Sequence, residues 1–239
     1  MQDSDKAIVF GSISIKENAN VVKVYTQNNG ILSLYLSPNT KKSAAKNAVL
    51  QPLSLCEIVF TSNKRSTLLT LKEAKITTPL FGIQGNIFKN TIALFIADIL
   101  SKVIPEETDG NLYEFLENAI LLFDELEDGI SNFHIAFLLR LTKWLGFYPH
   151  FHDQAFTNLD LKEGLFLKGR PNHPHYLSFE ETQTIALFLR TTWQDLDSIK
   201  LHGKLRRILL GAIINYYTLH IPSFKEPRSL SILEEVFNE

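Results

Sequence analysis

The sequence predicts an α+β protein in which a five-stranded β-barrel comes first and an all-helical domain follows. Through the first eighty residues, apolar and polar residues alternate with a period of two, the pattern of half-buried strands. Beyond Pro79 the period lengthens to that of amphipathic helices. The charge divides at the same point: residues 1–80 carry ten Lys+Arg and five Asp+Glu, net +5, and residues 81–239 carry fourteen and twenty-one, net −7. We therefore predict two domains, residues 1–80 and residues 81–239.

Five segments of the first domain have strand patterns. The first two are "AIVFGSISI" and "NVVKVYTQ", and the turn signal "QNNG" separates the second from "ILSLYLSP", which stops at Pro38. The last two are "LQPLSLCEIVFTS" and "STLLTLKEAKITT", joined by the short polar "NKR". Five short strands joined by turns, without a helix of useful length among them, predict a small barrel. A five-stranded OB-type barrel matches this number and length best.

The second domain contains about six helical patterns. One helix begins with Ser178 as N-cap and has Glu181 at the capping-box position, and the last long helix stops before Pro222. We expect residues 148–177, which are rich in His, Pro and Gly, to form an irregular loop. The helical segments are "NIFKNTIALFIADILSKVI", "NLYEFLENAILLFDEL", "GISNFHIAFLLRLTKWLGF", "LSFEETQTIALFLRTTW", "KLRRILLGAIINYYTLHI" and "SLSILEEVF".

The composition excludes several classes of protein. With 45% hydrophobic and 21% charged residues it is that of a globular protein, and the apolar runs are far shorter than the ~20 residues of a membrane span. The single cysteine, Cys56, rules out an internal disulfide and fits a small buried hydrophobe in a reducing cytoplasm. The motifs GxxxxGK[ST], GxGxxG after a strand, GxSxG and HExxH are absent, so we do not expect an enzyme.

Two histidine pairs, in "HFH" and "HPH", flank the predicted loop. Imidazoles from two such pairs can meet around a metal ion. However, residues one apart on an extended chain often point to opposite sides, and no thiolate is available to join them. We therefore predict no metal site and no cofactor, with a substitute site at these histidines as the alternative: His150, His152, His173 and His175.

The basic residues of the first domain indicate a partner with negative charge. Lys41, Lys42 and Lys46 lie in "SPNTKKSAAKNA", inside a window without Asp or Glu that extends over residues 18–56. Without carboxylates beside them, their field can reach a phosphate backbone, so we predict DNA binding here rather than only a solvated loop. Tyr25 and Tyr35 are possible stacking platforms, although core packing is the simpler role for each. The same part of the chain adds Lys23, Lys64 and Arg65.

Four segments, in order along the whole chain, resemble RecO, a family of bacterial DNA repair and recombination mediators. They are "KAIVFGSISIKENANVVKVYTQNNGILSLYL", "KNAVLQPLSLCEIVF", "GISNFHIAFLLRLTKWLGFYP" and "YYTLHIPSFKEPRSLSILEEV". The resemblance implies a cytoplasmic, nucleoid-associated protein without catalytic residues. It also implies an OB-fold domain that binds single- and double-stranded DNA and anneals complementary strands. With RecR, such a protein helps RecA displace the single-stranded DNA-binding protein (SSB).

The resemblance further implies that the helical domain binds the acidic, hydrophobic C-terminal tail of SSB. The terminal carboxylate of that tail needs a cation beside an apolar groove. Candidates are Arg140 and Lys143 on the central helix, or Arg206 and Arg207 in the basic cluster that begins the last long helix and also holds Lys200 and Lys204. Many family members carry a four-cysteine zinc module where this chain has residues 148–177, and no cysteine is present here.

Two other functions remain open at this stage. The net charge of −7 over residues 81–239 would repel phosphate, which favours a protein-interaction adaptor that acts through its helical domain and binds DNA weakly. An enzyme of unrecognised type would have to use the histidine-rich loop, and only the histidine pairs support it.

Overall fold

A computed structural model describes residues 2–16, 19–36, 49–63, 66–152 and 155–237 of the chain. The chain forms two compact units, residues 1–124 and residues 125–239. Each unit has its own buried core.

The first unit contains a closed barrel of five strands in the order β1-β2-β3-β5-β4. All neighbouring strands are antiparallel except β3 and β5, which are parallel. The α+β class is thereby confirmed, and the strand order is consistent with the predicted OB-type barrel. The strands are β1 (Gln2–Lys16), β2 (Ala19–Thr26), β3 (Gly30–Leu36), β4 (Leu55–Asn63) and β5 (Ser66–Thr78).

The barrel is filled by the alternate residues that its period-two pattern turns inward. Cys56 is one of them: it is 1% exposed, and burial raises the pKa of its thiol to about 12. The interpretation of Cys56 as a small buried hydrophobe is therefore confirmed. The core consists of Ala7, Val9, Val22, Val24, Leu34, Leu36, Leu50, Cys56, Ile58, Phe60 and Leu71.

In the described part of the first unit, three helices follow the barrel: α1 (Phe81–Gly85), α2 (Ile87–Val103) and α3 (Gly110–Glu125). Helix α2 packs against β1. The outward-facing residues Ile8 and Phe10 of β1 are buried, and Tyr25 of β2 lies between the rings of Phe10 and Tyr113, at 6.3 and 6.2 Å. The predicted boundary at residue 80 marks the change from strands to helices, and as a domain boundary it stays a prediction.

The connection between α2 and α3 is tied to the turn between β2 and β3. The backbone N–H of Ile31 donates to the carbonyl of Glu106 at 3.2 Å, and the hydroxyl of Thr108 donates to the carbonyl of Gln27 at 2.9 Å. Gly30, with φ +65°, permits this approach, because a Cβ atom there would lie 2.2 Å from the Glu106 carbonyl oxygen.

The second unit is mainly helical. A buried hydrogen bond of 2.8 Å from the Tyr217 hydroxyl to the Leu138 carbonyl joins its two long helices. In the described part of the chain, no helix has the length and apolarity needed to cross a membrane. The helices are α4 (Ile130–Trp144), α5 (Phe179–Arg190), α6 (Gly203–His220) and α7 (Leu230–Val236), with a 3₁₀ helix at Leu196–Ser198.

The segment expected to be an irregular loop, residues 148–177, instead contains a small sheet in the order β6-β8-β7-β9. Strands of two or three residues are too short for an alternating pattern to appear in the sequence, which is why the expectation differs from the structure. The predicted capping box that follows is present: the Glu181 carboxylate accepts from the Ser178 backbone N–H at 2.8 Å. The strands are β6 (His150–Phe151), β7 (Asn158–Asp160), β8 (Leu165–Leu167) and β9 (Tyr176–Leu177).

Candidate nucleic-acid interface

The strand register tells where the predicted DNA-binding residues are attached to the barrel. Five of the six lie outside the described residues: Lys41, Lys42, Lys46, Lys64 and Arg65. Strands β1 and β3 end side by side, since Lys16 pairs with Ala19 and Asn20 pairs with Leu36. The connection with the three lysines therefore begins at the same end of the barrel as the β1–β2 turn.

Lys64 and Arg65 belong to the other end of the strands. They join Asn63 of β4 to Ser66 of β5, and β4 runs antiparallel to β1, with Thr61 beside Gln2. The described strand ends that lead into the two connections thus lie at opposite ends of the barrel, and DNA contact by the five residues stays a prediction.

Lys23, the one predicted DNA contact within the described residues, is half-buried on the outer face of β2. Its Nζ donates a hydrogen bond of 2.5 Å to the carbonyl of Ser101, in the last turn of α2. Burial lowers the pKa of the Lys23 ammonium, and the charge of Glu106 partly opposes that effect. The structure gives Lys23 a packing role, and its contact with DNA stays a prediction.

The two tyrosines considered as stacking platforms differ in their surroundings. Tyr25 is fully buried, and its hydroxyl donates to the Asp109 carbonyl at 3.2 Å and accepts from the Asp109 N–H at 3.1 Å. For Tyr25, the alternative of core packing is confirmed. Tyr35 is half-buried near the end of β3, where it pairs with Val21 and Thr70, and a stacking role for it stays a prediction.

On the outer face of β1, β4 and β5 a carboxylate lies between two lysines. Exposed Lys6, Glu57 and Lys75 lie directly opposite one another across the three strands, with the carboxylate in the middle. Opposite charges at such cross-strand positions attract and partly neutralise each other. Five of the ten Lys+Arg of residues 1–80 lie instead in the connections that follow β3 and β4.

Of the residues proposed for a partner's carboxylate, Arg140 is largely occupied. Its guanidinium donates to the carbonyl of Thr191 and lies 3.8 Å over the ring of Trp193. Trp193 in turn stacks on Phe133 at 5.1 Å. Burial lowers the pKa of Arg140, and Lys143 is exposed in the last turn of α4.

Arg206 and Arg207 line a small pocket beside α6 and α7. Apolar side chains form its other walls, and Glu234 is the carboxylate at its edge. The Arg206 guanidinium donates to the Ser131 hydroxyl at 3.1 Å and to the Leu201 carbonyl at 3.3 Å. The pocket has a volume of about 30 Å³ and is lined by His134, Gly203, Arg206, Arg207, Leu210, Leu233, Glu234 and Phe237.

The four histidines of the small sheet do not converge. Nε2 of His173 lies 3.1 Å from a carboxylate oxygen of Asp160, and the rings of His173 and His175 are 6.2 Å apart. His150 and His152 are exposed. Among the described residues, no group of three or more His, Cys, Asp or Glu side chains is arranged to hold a metal ion. The absence of a metal stays a prediction.

Two family models match the chain, and they divide it near residue 80 rather than at residue 124. The model of the recombination protein O N-terminal region matches residues 1–80, and that of the recombination protein O C-terminal region matches residues 84–229. The chain belongs to the recombination protein O (RecO) family. The resemblance seen in the sequence is thereby confirmed.

Relatives of similar length bear the same name. The chain is 37% identical to the DNA repair protein RecO of Flavobacterium psychrophilum, over 100% of both chains. It is 36% identical to that of Flavobacterium johnsoniae, over 100% of both, and 33% identical to that of Phocaeicola vulgatus, over 97% of both. Membership of the RecO family supports a role in DNA repair and recombination, and the family is not a known family of catalytic enzymes.

Sequence reasoning missed the residues that surround the candidate cations. Trp193, which lies under Arg140, ends the predicted helical segment of residues 177–193, whereas α5 ends at Arg190 and leaves Trp193 beyond the helix. Leu233 and Phe237, which line the pocket of Arg206 and Arg207, belong to the short last helix and its end. The apolar face of "SLSILEEVF" was a signal for a contact, but it did not identify the helix on which that face packs.

Proposed function

We propose that this RecO-family chain is a recombination mediator that binds single- and double-stranded DNA and anneals complementary strands. With RecR, it helps load the recombinase RecA onto SSB-coated DNA. The protein acts without catalytic residues and without a cofactor, in the cytoplasm at the nucleoid. The partners in this proposal are DNA, RecR and the C-terminal tail of SSB.

The acid-free window on the barrel is the observation that carries DNA binding. Lys41, Lys42 and Lys46 have no Asp or Glu among residues 18–56, whereas Lys6 and Lys75 on the barrel wall have Glu57 between them. Lysines without neighbouring carboxylates attract phosphates by an electrostatic interaction that does not depend on the DNA sequence. That mode of contact suits a protein that has to act at any DNA gap. Lys64, Arg65 and Lys23 extend the proposal to the rest of the barrel.

Fluorescence anisotropy with labelled single- and double-stranded oligonucleotides, across a range of salt concentrations, tests DNA binding. We expect the logarithm of the binding constant to fall linearly with the logarithm of the salt concentration, by about 0.7 per phosphate contacted on a single strand. The rate at which complementary strands anneal, followed by energy transfer between their labels, tests annealing. Binding that is absent at low salt would contradict the proposal.

We propose the pocket of Arg206 and Arg207 as the site for the C-terminal tail of SSB. Leu210, Leu233 and Phe237 supply apolar surface for a hydrophobic terminal residue, and the two guanidinium groups suit its carboxylate. The pocket of about 30 Å³ has to widen to admit such a residue. Arg140 is the weaker candidate, because its guanidinium already lies over Trp193. Lys143, three residues after Arg140 on α4, is the exposed member of that pair.

A titration with a synthetic SSB tail peptide separates the two sites. Arg207→Glu is the preferred variant, because Arg207 is exposed whereas Arg206 also supports Ser131 and Leu201. Lys143→Glu is its control with the same change of charge. We expect weaker peptide binding for Arg207→Glu alone. An affinity that survives charge reversal at both positions would remove this proposal.

A second candidate function is an adaptor that acts through protein contacts and binds DNA only weakly. The net charge of −7 over residues 81–239 favours it, because that charge repels phosphate. In that case the SSB tail peptide binds with the same affinity in the presence and absence of DNA, and DNA binding is lost at physiological salt.

A further inference from the structure

The small sheet of the second unit has two chemically different faces. Cross-strand pairing aligns Phe151 with Phe166, Phe166 with Leu159, and Leu159 with Leu177. Three of these four residues are buried, and α5 packs on this side of the sheet. The alternate residues form the other face, where the register aligns His150, Leu165, Asp160 and Tyr176. We call this second side the outer sheet face.

The outer sheet face carries planar and cationic groups. The guanidinium of exposed Arg170 lies 4.9 Å over the ring of half-buried Tyr176. At the opposite edge, the rings of Tyr148 and His150 are 6.3 Å apart and meet edge to face. Rings and a guanidinium plane are the groups on which nucleic-acid bases stack.

One stretch of this sheet is free of acids, although residues 148–177 as a whole are neutral, with three Lys+Arg and three Asp+Glu. Residues 164–179 contain Lys168, Arg170, His173 and His175 and no Asp or Glu. Asp160, the carboxylate within the face, is 5% exposed. Its oxygens are occupied by the backbone N–H groups of Lys162 and Glu163, at 2.8 and 3.2 Å, and by His173. The field of Arg170 is therefore not cancelled by a neighbouring exposed acid within this stretch.

We propose that the outer sheet face is a second binding surface for single-stranded nucleic acid, with Arg170 and Tyr176 as its centre. Arg170 contacts phosphates or stacks on a base, and Tyr176 holds its guanidinium plane in position. The inference rests on the proposed function, since it adds a second strand-binding surface to that of the barrel. Annealing brings two strands together, and each unit of the chain then has a surface for one of them.

An acidic peptide is the competing ligand for a positive surface. Such a peptide would also need a groove for its apolar side chains, as in the pocket of Leu210, Leu233 and Phe237. On the outer sheet face the register instead places Tyr176 and His150, and the guanidinium of Arg170 lies over the Tyr176 ring. That combination favours bases and phosphates over a peptide.

Arg170→Ala and Tyr176→Leu test the proposal by anisotropy with a labelled oligothymidine. Loss of one stacking contact weakens single-strand binding by about fivefold to 100-fold, so we expect at least about a fivefold rise in Kd for each variant. Tyr176→Phe, which keeps the ring, should bind like the wild type. Arg190→Ala is the matched control: Arg190 is also exposed and lies 4.9 Å over a ring, that of Phe151, but on the other side of the sheet. We expect its Kd to stay within about twofold of the wild type, because it removes the same charge without touching the outer sheet face.

The variant Lys41→Ala/Lys42→Ala/Lys46→Ala separates this inference from the proposed function. If the triple variant binds oligothymidine weakly and Arg170→Ala and Tyr176→Leu bind it like the wild type, the inference is overturned and the barrel proposal stands. If Arg170→Ala weakens binding and the triple variant does not, the outer sheet face stands without the barrel surface. If Arg170→Ala and Arg190→Ala weaken oligothymidine binding equally, only the net charge matters. That result also overturns the inference. If Arg170→Ala or Tyr176→Leu weakens binding of the SSB tail peptide but not of oligothymidine, the inference is also overturned.

Discussion

The ammonium of Lys23 donates its hydrogen bond to the backbone carbonyl of Ser101, and this contact joins the second barrel strand to the end of helix α2. The last carbonyls of a helix carry a partial negative charge, which favours a cation at this place. Lys23, which the sequence groups with the basic residues of the barrel, therefore holds strand β2 against helix α2 within the first unit.

Lys23→Met tests that role. The variant keeps most of the apolar stem but removes a hydrogen bond from a charged donor, so we expect the free energy of unfolding to fall by about 1–2 kcal/mol. Thermal unfolding of the full chain measures the change, with exposed Lys72→Met on β5 as control. A stability equal to that of the wild type contradicts the packing role. A separate fall of about 0.7 in the salt slope of DNA binding would confirm the predicted phosphate contact.

Gly30 is a second point at which the barrel depends on the segment after α2. In Gly30→Ala, the added Cβ would lie 2.2 Å from the Glu106 carbonyl oxygen, at a residue with φ +65°. We expect a loss of stability of more than about 2 kcal/mol, from backbone strain and the displaced connection together. Gly146→Ala provides the comparison, because Gly146 has φ +85° and nothing within 4 Å of its added Cβ. If both variants lose the same stability, the close approach at Glu106 contributes nothing.

Much of the fold could be predicted because its elements are long enough to show their period. The 15-residue β1 and the 17-residue α2 repeat their patterns several times, and the Ser178–Glu181 capping box appears as a local signature. The strands of the small sheet span two or three residues, and their order depends on contacts between residues far apart in sequence. A local pattern cannot carry that information.

The candidate site could be predicted in its chemistry but not in its geometry. Counting charges identifies the acid-free window around Lys41, Lys42 and Lys46 directly. Lys23 donates its hydrogen bond to Ser101, which is 78 residues away along the chain. Arg140 donates to Thr191, which is 51 residues away. The outer sheet face was missed for the same reason, because Arg170 and Tyr176 meet only when the small sheet has formed.

His134 makes the second unit sensitive to acid. Complete burial, together with the charge of Arg206, lowers the pKa of His134 from 6.5 to about 3. The native state therefore keeps His134 neutral, while the unfolded chain takes up a proton below pH 6.5. Stability is fully present above pH 6.5 and should fall by about 1.4 kcal/mol per pH unit below it, until the pH nears the folded pKa.

His134→Gln removes this titration. We expect the unfolding temperature of the variant to depend less on pH between 6.5 and 4.5 than that of the wild type, whatever the stability of the variant at neutral pH. His150→Gln is the control, since His150 is exposed. The prediction fails if the wild type and His134→Gln lose stability in parallel over this range.

Removal of metal ions tests the prediction that no zinc replaces the four-cysteine module of other family members. Asp160 already holds His173 at 3.1 Å, while exposed His150 lies in β6 and exposed His152 directly follows it. We expect EDTA to leave the unfolding temperature unchanged and metal analysis to find less than one equivalent of zinc. One tightly held equivalent, lost in His150→Ala/His173→Ala, would show instead that these histidines form a site.

The acid-free window itself is tested by changing Lys41, Lys42 and Lys46 to Ala together. Each lost phosphate contact should flatten the plot of log K against log salt by about 0.7 for a single strand, so the slope should decrease by roughly 2. Because such contacts do not read bases, binding should weaken alike across unrelated sequences. Lys6→Ala/Lys75→Ala is the control, since both flank Glu57 on the barrel wall and their removal should change the slope less. If the triple variant has the slope and affinity of the wild type, these lysines do not contact DNA. The DNA then binds the chain through another surface.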